Sequence, residues 1–133
     1  MKVVVDANVV FKVFGEPAVS SVLGVRLKRM ELLAPAFLAV EFHQIIWKAR
    51  RFSGMDKRNA GHALHGFAVF PIQFFPDIDL LPSALEIAEK TRLTVYDSLY
   101  AALAQREQAA LATFDKKLRD ALPGLGISAV NLV

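Results

Sequence analysis

Met1-Lys2-Val3-Val4-Val5-Asp6-Ala7-Asn8 is the stretch that decides the fold class. Three consecutive β-branched residues predict a strand that is buried on both faces, as in a parallel sheet, and Asp6 follows where that strand ends. Proteins of the α/β class place their chemistry at the carboxyl ends of parallel strands. A turn in which Asn8 caps the first helix is an equally good interpretation. Asp6 alone therefore leaves a functional and a structural role open.

Further apolar runs alternate with helical patterns along the rest of the chain. The patterns predict strands at 3–5, 32–34, 68–73, 111–113 and 127–133, and helices at 6–14, 18–30, 36–51, 55–67, 82–91, 95–108 and 115–122, with a loop at 76–81. Pro71 within the third strand suits an edge position. The alternation predicts an α/β fold with a parallel sheet of four or five strands and helices on both faces. No repeat or linker interrupts it, so residues 1–133 are expected to form one domain.

The composition narrows the class of protein. The chain of 133 residues has no cysteine, which excludes disulfides and thiolate metal sites, and it has no apolar run long enough to span a membrane. The first residues do not resemble a signal peptide, so we expect a cytoplasmic protein. The net charge of +3 suits a polyanionic partner but serves solubility equally well. Lys116, Lys117 and Arg119 could contact the phosphates of a nucleic acid, and the alternatives are Arg26, Lys28 and Arg29 or Lys48, Arg50 and Arg51. A solvated helix face is the favoured interpretation of each cluster.

Glu41 is the acid that is hardest to explain structurally. Phe37, Leu38 and Ile45 lie one helical turn away from it, so it is predicted to share the core-facing stripe of its helix. A carboxylate on a buried face is costly unless it is paired or bound to a metal. A salt bridge to a basic residue is the structural alternative, and the energetic cost favours a functional role.

Asp97 and Asp115 each stand at the start of a predicted helix. An aspartate there caps the helix or interacts well with its dipole, which is a sufficient structural role. Asp97 also shares a small, apolar face with Tyr100, which would pack on the sheet and direct the carboxylate inward. Asp115 follows the strand at 111–113, so it is predicted to lie at the same sheet edge as Asp6.

Taken together, Asp6, Glu41, Asp97 and Asp115 are predicted to meet at the carboxyl edge of the sheet. Converging carboxylates repel one another unless a cation lies between them. Oxygen ligands without cysteine favour Mg²⁺ or Mn²⁺, and such a site can activate water for attack on a phosphodiester. The sequence offers no evident activated serine, cysteine or lysine nucleophile.

Four segments, residues 3–8, 35–41, 96–104 and 112–118, carry a family resemblance. In this order and with this spacing they resemble the PIN-domain family, and within it the VapC-like toxins of prokaryotic type II toxin–antitoxin pairs. The resemblance covers essentially the whole chain. Each motif is unspecific by itself, and the ordered set is what distinguishes the family.

The resemblance implies a PIN-like three-layer α/β fold and a metal-dependent endoribonuclease that cleaves RNA. It makes the four acids the catalytic Mg²⁺ or Mn²⁺ ligands, with Asn8 supporting Asp6 and Thr113 lying near Asp115. It also implies a homodimer and a cognate antitoxin whose tail can block the site. Two alternatives remain at this point. One is a phosphotransfer domain with an acidic pocket, and the other is a non-catalytic binding module in which the acids are only caps and salt bridges.

Overall fold

The computed structural model describes residues 1–15 and 17–132. Within them, four short strands alternate with seven α-helices. The strands are β1 (Lys2–Val5), β2 (Glu31–Pro35), β3 (Ile72–Phe75) and β4 (Ala110–Ala112). The helices are α1 (Ala7–Gly15), α2 (Pro17–Lys28), α3 (Phe37–Phe52), α4 (Lys57–Val69), α5 (Asp77–Thr91), α6 (Val95–Glu107) and α7 (Lys116–Ala121), and a short 3-10 turn follows at Pro123–Leu125. None of the described helices is long and apolar enough to cross a membrane.

The strands form one parallel sheet in the order β3-β2-β1-β4. Strand β1 lies in the interior, and its Val4 pairs with Leu33 of β2 on one side and Leu111 of β4 on the other. Strands β2 and β3 follow one another on one side of β1, and β4 pairs with the other side of β1. The strand order reverses between β1 and β4, and such a switch point opens a crevice at the carboxyl ends of the two strands.

The sheet is covered on both faces. Val3, Val4 and Val5 have no solvent exposure, although successive side chains of a strand point to opposite sides. Helices must therefore pack on both sides of β1, as the β-branched run predicts. The predicted α/β class, with a parallel sheet between helices, is confirmed.

Helix α6 brings its first turn to the carboxyl edge of the sheet. Its residues from Ser98 to Ala104 are all buried, and small side chains among them allow the helix to contact β1, β2 and β4. The helix ends at Glu107 and β4 begins at Ala110, at the amino edge of that strand. The start of the helix, with Asp97 in its first turn, therefore lies at the opposite edge.

The third strand begins later than predicted. Helix α4 continues to Val69, so residues 68 and 69 are helical rather than extended, and β3 begins only at Ile72. The ring of Phe67 stacks on Phe42 of α3 at 4.4 Å between centroids, which keeps the end of α4 packed on its neighbour. Pro71 lies just before the strand, where its missing N–H breaks no ladder hydrogen bond. The expected edge position of this strand is correct.

Helix α5 begins earlier than predicted, so the loop expected at 76–81 is wrong. The helix starts at Asp77 and contains Pro82 in its interior. The carboxylate of Asp77 accepts a hydrogen bond from the N–H of Phe37 at 3.0 Å, which ties the starts of α5 and α3 together. This long-range contact, together with Asp79 in the same first turn, stabilises the helix start and offsets the proline.

The fifth strand expected at 127–133 does not form within the described residues. Only a single bridge joins Ala129 to Leu111 of β4, because Leu111 donates to the carbonyl of Ser128 and accepts from the N–H of Val130. Strand β4 is only three residues long and offers little further backbone for pairing. Val133 lies outside the described residues.

Candidate active site

Asp6 lies at the crevice between β1 and β4. Its backbone N–H reaches the carbonyl of Ala112 at 3.3 Å, and its side chain is only 5% exposed. One carboxylate oxygen, Oδ1, accepts from the N–H of Val9 at 3.0 Å, so Asp6 caps α1, and Asn8 does not. The other oxygen, Oδ2, accepts from the hydroxyl of Thr113. Asp6 therefore lies at the strand end, as predicted, and it also provides the helix cap that was expected of Asn8.

Thr113 links Asp6 to Asp115 across the switch point. Its hydroxyl is buried, donates to Asp6, and accepts from the N–H of Asp115 at 3.0 Å. The carboxylate of Asp115 in turn caps α7 by accepting from the N–H of Leu118 at 3.1 Å. Arg119 donates to the carbonyl of Thr113 at 2.7 Å, and this bond fixes the turn that carries Thr113 and Asp115.

Glu41 lies beside the core rather than in it. The buried seam of α3 consists of Leu38, Phe42 and Ile46, and Glu41 flanks this seam and is partly buried. The prediction that Glu41 lies on the core-facing stripe is therefore wrong by one position, since Phe42 occupies the buried place. The carboxylate is held by a hydrogen bond that the sequence analysis did not predict, from the hydroxyl of Tyr100 to Oε1 at 2.6 Å.

Asp97 is partly buried in the first turn of α6. The helix is capped by Thr94, whose hydroxyl accepts from the N–H of Asp97 at 3.1 Å. The spacing of a threonine three residues before an acid is a known capping pattern that could have identified Thr94 from the sequence. Burial and the charge of Asp115 raise the pKa of Asp97, while the hydrogen bond with Thr94 and the charge of Lys117 lower it.

The four acids interact electrostatically. Burial raises the pKa of Glu41, the hydrogen bond from Tyr100 lowers it, and the charges of Asp97 and Asp115 raise it further. The charge of Asp115 acts on all three of the other acids. Residues separated by up to 109 positions in sequence thus share one patch of negative charge at the carboxyl edge.

Asp6 has the most perturbed carboxyl group of this patch. Burial raises its pKa from 3.8 to about 6, although the hydrogen bonds from Thr113 and Val9 act in the opposite direction. The charges of Glu41 and Asp115 add to the increase. A carboxylate that is kept this close to its neighbours without a cation is under strain at neutral pH.

The remaining candidates lie away from this patch or contact it differently. Asn8 is exposed, and no hydrogen bond joins it to Asp6 among the residues that the structure describes. Lys116 pairs with Asp120 at 2.6 Å on the exposed face of α7. Lys117, by contrast, acts electrostatically on Asp97 and so lies near the acids.

The donor set suits a hard cation. The patch offers carboxylate oxygens, which are the ligands that Mg²⁺ and Mn²⁺ prefer. Among residues 1–15 and 17–132, however, no three acidic or histidine side chains are arranged so that they could hold one ion as they stand. Since Mg²⁺ usually keeps several waters and uses one or two carboxylates directly, the patch fits an ion that is partly reached through water.

Comparison with known proteins identifies the family. The model of the PIN domain matches residues 3–121, which include all four acids. The chain belongs to the PIN-domain family. Among curated proteins, no sequence matches this PIN domain significantly.

Solved structures share the PIN fold at low sequence identity. PAE2754 from Pyrobaculum aerophilum superposes with a TM-score of 0.71 at 22% identity, covering 90% of this chain and 78% of the other. VapBC2 from Rickettsia felis, bound to a DNA fragment from its promoter, gives 0.67 at 16% identity over 98% of both chains. VapC20 from Mycobacterium tuberculosis, described as a sarcin-ricin loop cleaving toxin, gives 0.66 at 15%, covering 97% of this chain and 98% of the other. At these identities the likeness shows a common fold.

The raised pKa of Asp6 predicts how the stability of the metal-free PIN protein depends on pH. Because its pKa is higher in the folded state, Asp6 favours folding fully below its unfolded value of 3.8, and this contribution is lost as the pH rises through about 6. The shift corresponds to about 3 kcal/mol. We expect Asp6→Asn to abolish this loss, so that the variant is more stable than the wild type at pH 7.5 in the presence of a chelator.

Urea denaturation of both proteins between pH 4 and pH 8 measures the effect. The difference in unfolding free energy between variant and wild type should move in favour of the variant as the pH increases. A difference that stays constant across this range would show that Asp6 is not strained by ionisation.

Proposed function

We propose that this PIN protein is a Mg²⁺- or Mn²⁺-dependent endoribonuclease that cleaves RNA phosphodiesters with an activated water. The proposal is carried by one observation, which is the convergence of the four carboxylates: Glu41 and Asp115 act electrostatically on Asp6, and Asp97 and Asp115 act on Glu41. Their accumulated negative charge at neutral pH requires a cation. The family membership supports the same class of activity.

The four acids are the residues that would hold the ion, some directly and others through water. When bound, the ion supplies charge stabilisation and lowers the pKa of the attacking water. Thr113 keeps Asp6 in a fixed orientation by hydrogen bonding to Oδ2. Glu41 is partly buried, and only its Oε1 is engaged by Tyr100, so its other oxygen would be available to the ion or to a water bound to it.

Glu41 also distinguishes the nuclease from a non-catalytic binding module. Asp6 and Asp115 cap helices, as a purely structural interpretation requires. Glu41 lies in the second turn of α3 and accepts a hydrogen bond from a tyrosine, and no lysine or arginine among the described residues forms a salt bridge with it. A carboxylate that is costly to bury and caps no helix supports a functional role for the group. The phosphotransfer alternative gains no support from any of these contacts.

The ribonuclease proposal predicts loss of cleavage in Asp6→Asn and Asp97→Asn. Each change removes a charge that would act on the ion, and we expect the rate of RNA cleavage to fall by about 100-fold or more, since several kcal/mol of charge stabilisation are at stake. Cleavage of a mixed RNA substrate is measured with and without Mg²⁺ or Mn²⁺, and the chelated protein should be inactive.

Asp79→Asn is the matched control for these variants. It makes the same chemical change at an exposed position on α5 and should retain wild-type activity. Metal-dependent cleavage that survives in both active-site variants would contradict the proposal. Absence of Mn²⁺ binding by the wild-type protein in calorimetry would favour the binding module.

Lys117 is proposed to contact a phosphate of the RNA, because it lies within electrostatic range of Asp97. We expect Lys117→Ala to weaken RNA binding and to reduce the slope of log K against log salt by about 0.7, the value for one phosphate of a single strand. Lys116→Ala is the control, since Lys116 is occupied by Asp120 on an exposed face. If the slope of log K against log salt is equal for the two variants, Lys117 does not contact the RNA.

The biological role that we propose is the toxin of a toxin–antitoxin pair. Structures of similar fold include a toxin-antitoxin complex from Klebsiella pneumoniae and FitAcB from Neisseria gonorrhoeae, with TM-scores of 0.65 and 0.64. A toxin of this kind is neutralised by a cognate antitoxin protein, which we propose as the partner of this chain. Co-purification with the product of an adjacent small reading frame, accompanied by inhibition of cleavage, would test this assignment.

We further propose that the chain forms a homodimer through α3 and α5. Ile78 and Leu85 are 72% and 53% exposed on one side of α5, and Val40 and Trp47 are 65% and 53% exposed on α3. The hydrogen bond between Phe37 and Asp77 joins the starts of the two helices that carry these apolar stripes. A contiguous exposed apolar surface commonly marks a protein interface.

Light scattering at micromolar concentration should therefore report twice the monomer mass of 14.7 kDa. Ile78→Glu combined with Leu85→Glu should give the monomer, because buried charges oppose association. Val69→Glu, which places a charge at an exposed apolar position on α4, should remain dimeric. A monomeric wild-type protein would contradict the proposal.

A further inference from the structure

Tyr100 places a phenol hydroxyl inside the acidic patch. The residue is only 1% exposed, and its hydroxyl donates to Oε1 of Glu41 at 2.6 Å. The bond joins α6 to α3 across 59 residues of sequence. A buried ring has few alternative positions in a close-packed interior, so the hydroxyl is a fixed point and Glu41 is the mobile partner.

The surroundings keep Tyr100 a neutral donor. Burial raises the pKa of Tyr100 above its usual value, and the charges of Glu41, Asp6 and Asp97 act in the same direction. Ionised carboxylates only accept hydrogen bonds, so the hydroxyl of Tyr100 acts as the donor. Its short contact to an ionised acceptor belongs to the stronger class of hydrogen bonds.

Glu41 needs such an anchor. Its side chain is long and only partly buried, and the charges of Asp97 and Asp115 both repel it. Without a restraint, the carboxylate would lower its energy by turning toward solvent, away from the other acids. The bond from Tyr100 opposes this movement while engaging only Oε1, so Oε2 carries no hydrogen bond within the part of the chain that the structure describes.

We propose that Tyr100 is a positioning residue that holds Glu41 within the acidic patch, against the repulsion of Asp97 and Asp115, so that its free oxygen can serve a divalent cation. This inference rests on the proposed function. Partners that hydrogen-bond metal-ligating groups orient them and tune their affinity for the ion.

Tyr96 provides an internal control on the same helix. It lies four residues before Tyr100, is 60% exposed, and stacks on Phe37 with 5.1 Å between ring centroids. Removal of its hydroxyl by Tyr96→Phe makes the same chemical change without touching Glu41. Any effect that is general to losing a phenol on α6 would appear in both variants.

The test is a double-mutant cycle on Mn²⁺ binding, measured by calorimetry on the full chain. We expect Tyr100→Phe to raise the dissociation constant for Mn²⁺ on the order of tenfold, the range found when such hydrogen-bonding partners of metal ligands are removed. The same substitution in a Glu41→Ala background should have no further effect, because the group that Tyr100 positions is absent. Tyr96→Phe should leave the dissociation constant for Mn²⁺ unchanged in each background, relative to the parent protein of that background.

Glu41→Asp supplies a second, independent arm. It keeps the charge but shortens the side chain by one methylene, so the carboxylate no longer reaches the hydroxyl of Tyr100. We expect a loss of Mn²⁺ affinity similar to that of Tyr100→Phe, with little additional loss when the two are combined. This arm tests the same hydrogen bond from the side of the carboxylate.

Two results would overturn the inference, and they differ from each other. If the wild type binds Mn²⁺ and Tyr100→Phe binds it equally well, or loses the same factor in the Glu41→Ala background, the tyrosine has only a packing role. If the wild type itself binds no Mn²⁺ and cleaves no RNA, the proposed function fails and the positioning role fails with it. Thermal unfolding of every variant confirms that folded proteins are being compared.

Discussion

Repulsion among four carboxylates at one sheet edge is the constraint on which the rest of this structure depends. The acids come from four separate elements, and only a rigid scaffold can keep such charges close together when no single stretch of chain links them. The parallel sheet provides that scaffold, because its β-branched central strand and the switch point between β1 and β4 fix where the chain leaves each strand. Thr113 and Tyr100 then restrain individual carboxylates with hydrogen bonds. The packing and the polar contacts therefore serve the same end, which is to hold an electrostatically unfavourable group in place.

Structural and functional interpretations of the acids are not exclusive. Asp6 and Asp115 cap α1 and α7, so their carboxylates gain local hydrogen bonds whether or not a cation is present. These bonds offset part of the cost of burial and hold the two groups at the ends of neighbouring strands. A capping role should therefore not be counted against a role in chemistry. The same side chain can begin a helix and face a cation, and in this chain the geometry of the cap orients the acid.

The sequence predicted the class of the fold because its signals are local. The run at Val3–Val5 requires cover on both faces of a strand, whatever the rest of the chain does. The errors arose where distant contacts decide the outcome. Helix α5 starts at Asp77, whose carboxylate accepts from the N–H of Phe37, a residue 40 positions away, and no pattern around Pro82 reveals that bond. The side of α3 that is buried likewise depends on its neighbours, which moved Glu41 from the core stripe to its flank. The contacts of Tyr100 and Lys117 were missed for the same reason.

Glu41 is the acid whose presence is least explained by a contribution to folding stability. Asp6 and Asp115 cap helices, and Asp97 lies in a first turn where the helix dipole favours a negative charge. Glu41 has neither benefit, and its pKa is raised by burial and by two neighbouring charges. The chain nevertheless holds it in the patch through a buried tyrosine from another helix. This hydrogen bond keeps the carboxylate away from water and close to other negative charges. Folding stability does not explain it, since a neutral residue at position 41 would avoid both costs. The arrangement is understandable if the charge of Glu41 is needed for a cation that joins the patch.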